Sequence, residues 1–253
     1  FFLVGGSQSV VTGTDWSDAL EELRWLDVDE LHAFYDPTGT SPSADAVLPL
    51  FNDHITTMWG DGANERCLWV GAGENETYST LVARAAAFNS ERVCVVADSA
   101  NITQYQGATE QKRPYWYALM HAAAAATIPG VGSLTRAQLR VNSVSRHASL
   151  YSNENVNELI RAGIVLSSVP AGSFPRVERE VTTWTTDTNP AQTEAICTRS
   201  VRESIKDMRA ALDVLLSPQQ STTVIILADV QTLVESRLEA QKSALAPLIT
   251  DYD

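Results

Sequence analysis

Apolar and polar positions alternate along the first half of this chain in a regular order. Residues 1–4 are apolar and stop at Gly5-Gly6. A helical stripe follows, formed by Trp16, Ala19, Leu20, Leu23 and Leu26, with Thr14 or Asp15 placed to cap it. Residues 31–35 read as the next strand, stopped by Asp36-Pro37-Thr38-Gly39. A second helix is predicted from Ser43 to about Trp59, ended by Gly60 and Gly62, with Pro49 a candidate kink inside it. Cys67-Leu68-Trp69-Val70 is apolar without alternation, which suits a strand covered on both faces. A helix over 77–88 and another apolar run over 92–97 complete the pattern. Strand and helix signals in alternation predict an α/β fold, with a largely parallel or mixed sheet flanked by helices.

The second half is less regular. Pro114 suits the first turn of a helix that runs through the five alanines 122–126, where another backbone can approach closely. A short strand is a weak reading of residues 139–148. Asn153 is placed to cap a helix over 154–162, and Gly163 follows at the usual C-terminal position. Residues 164–169 read as a buried strand, and the Thr- and Val-rich run 177–186 as a strand with one wetter face. Asn189-Pro190 opens a long helix with apolar positions Val201, Ile205, Met208, Leu212 and Leu215, and Pro218 interrupts it. The last segment, opened by Ser221 or Thr222, places Val224, Leu227, Ala228, Val234 and Leu238 on one helical face; 222–227 alone also fits a strand. There is no repeat, low-complexity tract or flexible linker, so residues 1–253 are expected to form a single domain.

Composition changes this picture little. The net charge of −13, from 18 Lys+Arg against 31 Asp+Glu, argues against broad nucleic-acid binding, which needs a basic face. No run approaches the ~20 apolar residues of a bilayer span, so membrane insertion is not expected. Cys67, Cys94 and Cys197 form no C-x-x-C pair and read as structural thiols in a reducing compartment.

The candidate chemistry is sparse. Gly71-Ala72-Gly73-Glu74-Asn75-Glu76 lies between a strand and a helix, where a dinucleotide fingerprint would sit, and Asp98 lies near the place of a ribose-binding acid. Glu76 stands where the third glycine belongs, and two carboxylates would meet a pyrophosphate; they are better explained as partners of the helix dipole. Gly5-Gly6-Ser7-Gln8-Ser9 lacks the closing glycine of a nucleophile elbow. His32, His54, His121 and His147 are scattered, with no metal-ligand spacing on a helix. No catalytic, cofactor-binding or metal residue is therefore assigned, and the chain is not expected to be an enzyme. Asp27, Asp29 and Glu30 form an acidic turn, read as a solvated loop or as a site for a cation or basic partner. Trp184, among threonines, suits a subunit contact or plain cross-strand packing.

Several segments taken in order resemble the core domain of contractile-tail sheath proteins of bacteriophages and related injection systems. Residues 2–6 followed by Gly13-Thr14-Asp15-Trp16-Ser17-Asp18-Ala19-Leu20 are similar to its opening. Residues 68–71 and 92–97 resemble its next strands, and 114–126, Leu134-Thr135, 158–164 and Thr182-Thr183 the pattern that follows. Residues 199–212 resemble its long helix. The resemblance implies a structural protein without a catalytic site. It implies many copies in a helical sheath around an inner tail tube protein, with baseplate and tail terminator proteins as further partners. It implies contraction that drives the tube through a cell envelope, and a place in the virion tail after assembly in the host cytoplasm. In that family terminal arms add strands to neighbouring subunits. Those arms are expected to be missing from this piece, which should then behave as a monomer. The competing reading is a Rossmann-like nucleotide-binding enzyme that uses the Gly71–Gly73 turn.

Overall fold

A computed structural model describes residues 11–35, 44–60, 64–103, 107–128, 132–146, 148–150, 152–216 and 227–243. The elements expected at 1–4 and 222–226, the turns at Gly5-Gly6, Asp36–Gly39 and Gly62, and Ser43, His147 and Pro218 lie outside these residues. The first half follows the order α1 (Gly13–Leu23), β1 (Glu30–Ala33), α2 (Ala44–Gly60), β2 (Cys67–Gly71), α3 (Tyr78–Phe88) and β3 (Val93–Val96). Then come β4 (Ser99–Thr103), β5 (Thr109–Lys112), α4 (Pro114–Thr127), β6 (Ser143–Ser145) and a 3-10 turn at Ala148–Leu150. The chain continues through α5 (Asn153–Arg161), β7 (Ile164–Val165), β8 (Ser167–Ser168), β9 (Arg176–Val177), α6 (Pro190–Thr193), α7 (Ala195–Leu215) and α8 (Leu227–Ser243).

Strands β1, β2, β3 and β7 form one parallel sheet in that order, with Trp69 opposite Cys94 and Val95 opposite Ile164. Every residue of β2 and β3 is buried, as their unbroken apolar sequences require of a sheet covered on both faces. The two faces carry different cores. Leu31, Leu68, Val70, Val93, Val95 and Ile164 pack with side chains of α1, α2, α3 and α5. Trp69, Cys94, Val96 and Val165 pack on the opposite face against Tyr117, Ala118, Ala122 and Ala125 of α4. The alanines of α4 let its axis lie close to the sheet, as their small size suggests.

A second, antiparallel sheet has the order β5-β4-β6, and β8 and β9 form a short antiparallel pair. The β4–β5 hairpin is a feature the sequence pattern misses, because its residues are polar and its outer strand is half-exposed. Other expectations need correction. The cap of α1 is Thr12, two residues before Thr14 and three before Asp15: its hydroxyl accepts from the Asp15 amide and the Asp15 carboxylate accepts from the Thr12 amide. Ser152, not Asn153, caps α5. The strand read over 164–169 is two short pieces, β7 and β8.

The run 177–186 is not a regular strand. Its amides pair with separate partners: Glu178 with Leu166, Thr182 with Thr193 and Thr183 with Val93. The helix expected from Asn189-Pro190 breaks at Glu194, which is extended. The reason is tertiary, since Glu194 bridges Val181 and the Ala195 amide donates to Glu180. In α8, Leu227 is 82% exposed and Ala228 exposed, and the half-buried stripe is Val230, Leu233, Val234 and Leu238.

Candidate functional site

The carboxyl end of the parallel sheet is where an α/β protein would bind a nucleotide, at the point where strand order reverses. Among the described strands the order β1-β2-β3-β7 never reverses, so no such crevice opens. Gly71 ends β2, and a Cβ placed on it would lie 2.1 Å from the Tyr115 Cα and 2.6 Å from the Pro114 carbonyl carbon. The glycine therefore serves the close seating of α4 on β2. The cavity beside it holds about 70 Å³ and is lined by Gly73, Glu74, Glu76, Gln111, Ser145 and Arg146, among others. That is well short of the roughly 300 Å³ at which ligand pockets begin. Glu74 lies 3.1 Å from Arg113, and Glu76 is ion-paired with Arg84. Both carboxylates thus serve internal pairs where a pyrophosphate would have to approach, and so small a cavity gives it no seat.

Asp98, just past β3, is fully buried. It lies 2.8 Å from Nε of Arg146 and accepts the Ser167 amide at 2.5 Å, while Tyr117 and Ser167 share a hydroxyl contact at 3.0 Å. Burial pushes its carboxyl up to about 6 against the pull of the Arg146 guanidinium. This cluster ties the parallel sheet to β6 and α4. The described histidines are each engaged. His32 Nδ1 donates to the Trp69 carbonyl at 3.0 Å, and His121 Nδ1 to the Tyr117 carbonyl at 2.8 Å. His54 Nε2 accepts from Arg66 at 3.2 Å. Desolvation lowers all three to about 4, so they are neutral near pH 7. None meets both a Ser and an Asp.

Buried charge is concentrated instead on one face of α7. Arg199 (1% exposed) pairs with Glu180 (0%) at 2.7 Å and also donates to the Gly132 carbonyl at 2.9 Å. Glu180 accepts the Leu134 amide at 2.7 Å. One turn on, Arg202 pairs with Glu30 at 2.9 Å, and Glu30 takes the Trp69 indole N–H at 2.8 Å. Burial raises the pKa of both carboxyls, opposed by their arginines. Lys206 bonds Asp27 at 2.6 Å and also pairs with Asp29, and Arg209 pairs with Glu65 at 2.5 Å. In the acidic turn at 27–30 the Asp27 and Asp29 side chains stay 76% and 46% exposed, and the basic partner of the turn is α7 of the same chain. Arg66, fully buried, reaches the carbonyls of Leu23 (3.1 Å) and Leu26 (2.9 Å) and so closes the C-terminal end of α1. Sequence reading missed these pairs. Their one local trace is the spacing of Arg199, Arg202, Lys206 and Arg209, which puts four cations on one helical stripe.

The outer surface carries the remaining signal. Phe34, 46% exposed, packs edge-on against Tyr115 and Trp116, with ring centroids 5.1 and 5.4 Å away. Trp25 is 81% exposed, and Val169 and Phe174 stand half in solvent on the β8–β9 hairpin. Trp184, by contrast, is half-buried, and its indole N–H donates to Asp187 at 3.0 Å, so its polar atom is satisfied within the chain.

No protein-family model matches this sequence, and no curated protein matches it. Solved structures do. The chain is similar to the sheath tail protein of Listeria innocua, with a TM-score of 0.71 and 16% identity over 95% of this chain and 52% of that one. The sheath tail protein of Desulfitobacterium hafniense gives 0.66 and 18%, over 95% of this chain and 51% of that one. The helical sheath of the anti-feeding prophage in its contracted state gives 0.61 and 15%, over 94% and 62%. This chain thus spans about half the length of the sheath tail proteins it matches. The parallel four-stranded sheet, its one-directional strand order and its two helical faces are the fold of the sheath tail proteins.

Proposed function

We propose that this chain is a structural subunit of a contractile tail sheath. It polymerises around an inner tail tube and contracts to drive that tube through a cell envelope. The observation that carries this reading is a match to the fold of sheath tail proteins over 95% of the chain. The geometry agrees in kind: the carboxyl end of the sheet is closed by α4, and the buried charges that α7 carries, Arg199 and Arg202, are paired with Glu180 and Glu30.

In this reading the protein is not an enzyme, needs no cofactor or metal, and works through its surface. Other copies of itself, the tube protein, and baseplate and terminator proteins are its partners. The tail of the particle, assembled in the host cytoplasm, is its location. Contraction needs rigid bodies with two alternative packings. The ion pairs that tie α7 to the acidic turn before β1 and to Glu180 make the parallel sheet, α4 and α7 one rigid body in this reading.

Electron microscopy of the polypeptide expressed with its tube protein tests the proposal. Hollow, striated tubes that shorten on contraction are expected. Discrete closed oligomers, or no association with the tube protein under any condition, would overturn it.

A further inference from the structure

The exposed surface of α1 and that of the β8–β9 hairpin are chemically opposite. On α1, Trp16, Leu20 and Leu23 face the core. Asp18 and Glu22 lie about half a turn away on the outer face of the helix and are exposed, and so is Trp25, in the turn that follows Leu23. Among the described residues neither Asp18 nor Glu22 pairs with a cation; Arg24 is engaged with Glu21. The result is an acidic stripe that ends in an indole 81% open to solvent. Tryptophan is enriched at protein interfaces, where its large ring can be covered.

The hairpin shows the reverse. Val169 and Phe174 are 51% and 53% exposed on its loop. Beside it, Gln138 bridges Arg176 and the Arg136 amide donates to Val177. Ala137 and Leu139 turn inward there, so Arg136 and Arg140 point out. Among the described residues neither of these arginines meets a carboxylate. Arg176 contacts the Ser168 hydroxyl at 3.3 Å, and Glu178 is the carboxylate nearby in sequence. Three guanidinium groups against one carboxylate leave this patch basic, although the chain as a whole carries −13.

Their places in the fold keep the two patches apart. Trp25 lies before the amino end of β1, and the hairpin follows the carboxyl end of β7. These strands are the two opposite edges of the parallel sheet, so the patches sit at diagonal corners. They do not meet within one chain, but each fits the other on a second copy. A contact between two different patches of one protein is heterologous, and repeated without closure it builds an open helix.

We propose that the acidic Asp18–Glu22–Trp25 stripe of one copy docks on the basic, apolar Val169–Phe174–Arg140 patch of the next. Trp25 seats between Val169 and Phe174, and the carboxylates face Arg136 and Arg140. This rests on the reading of the chain as a self-assembling subunit and names the surfaces through which one neighbour is held.

Charge reversal tests it. One variant carries Asp18→Lys with Glu22→Lys; another carries Arg136→Glu with Arg140→Glu. All four side chains are exposed, and unchanged melting curves check that both variants fold. The parent chain is expected to be monomeric in dilute solution, as the sequence reading has it, and in sedimentation velocity from about 10 µM upward to associate weakly and less at high salt. Each variant alone should associate at least about tenfold more weakly, because like charges then face each other. An equimolar mixture of the two should recover association, since every contact in it is again acid against base. Trp25→Ala should weaken the parent without changing its salt dependence. A strictly monomeric parent, variants that associate like the parent, or a mixture that does not recover would each overturn the proposal; association retained by both variants would point to another surface or partner. Striated tubes formed by either variant would sink this pairing while the sheath reading stood. A failure of every form to make tubes would instead remove the sheath reading, with the sedimentation result still deciding the pairing.

Discussion

Replacing Arg199 by Met removes one of the most deeply buried cations among the described residues and keeps most of its volume. Arg199 is 1% exposed and sits 2.7 and 2.9 Å from the two carboxylate oxygens of Glu180, which is 0% exposed. Without the guanidinium, Glu180 keeps only the Leu134 amide at 2.7 Å and the Ser133 hydroxyl at 3.2 Å. A buried carboxylate so deprived either stays charged without a counter-ion or takes up a proton, and loss of one partner of such a pair costs about 3–5 kcal/mol. Glu180→Leu should cost a similar amount, because Arg199 then faces only the Gly132 carbonyl at 2.9 Å and the Ala125 carbonyl at 3.4 Å. The double change Glu180→Leu with Arg199→Met leaves no unpaired charge. Its main penalty is the stranded Leu134 N–H, about 1–3 kcal/mol. The double variant should therefore be more stable than the sum of the two single losses predicts, by at least about 2 kcal/mol. Urea unfolding followed by tryptophan fluorescence gives the three values, provided the m-value is unchanged. Against a total stability of about 5–15 kcal/mol these differences are large. A loss below about 1 kcal/mol for Arg199→Met, or strict additivity of the two single changes, would refute the claim that this pair ties α7 into the rigid body.

Gly71→Ala should destabilise by about 3 kcal/mol or more, since its Cβ would sit 2.1 Å from backbone of α4 and no flexible side chain can yield; a melting temperature within a degree of the parent would contradict the close seating. Buried His121 has its pKa lowered to about 4, below the unfolded value near 6.5. Its contribution is therefore complete above pH 6.5 and is lost as pH falls towards 4. His121→Phe should flatten the stability profile over that window, measured by urea unfolding at stepped pH; an equally steep profile would exclude it as a source of acid lability. Asp98, raised to about 6, acts in the opposite sense: its contribution is complete below about pH 4 and fades as pH rises through 6. Asp98→Asn should accordingly steepen the acid loss. Thr12→Ala removes the hydroxyl half of the capping box, leaving the backbone amide of residue 12 on Asp15, and should cost about 1 kcal/mol, read from the same unfolding curves. Nucleotides at millimolar concentration should leave the melting temperature unchanged; a ligand present at 100 times its Kd would add about 2.7 kcal/mol, a shift a melting curve readily shows.

What the sequence settled by itself is the framework whose signals are local. Unbroken apolar runs at 67–70 and 93–96 marked doubly covered strands, and the 3.6-residue spacing of Trp16, Leu20 and Leu23 marked a surface helix. Pro114 and Gly163 fixed a helix start and a helix stop, the latter with the positive φ of 81° that glycine tolerates. The order of these elements was enough for the sheath resemblance that the fold bears out.

Only the tertiary structure decided the features that depend on residues far apart in the chain. Glu194 leaves the helical path because 180–182 offers its backbone another partner, and no local propensity records that. The polar β4–β5 hairpin forms because β6 borders it some forty residues later. The acidic turn at 27–30 acquires its meaning from Lys206 and Arg202, about 175 residues away, and Gly71 from the helix that rests on it. A sequence states which side chains want burial and which want charge. Which distant backbone or counter-ion satisfies each one is fixed only when the chain closes on itself, because hydrogen bonds and ion pairs act over a few ångströms of space and not along the chain.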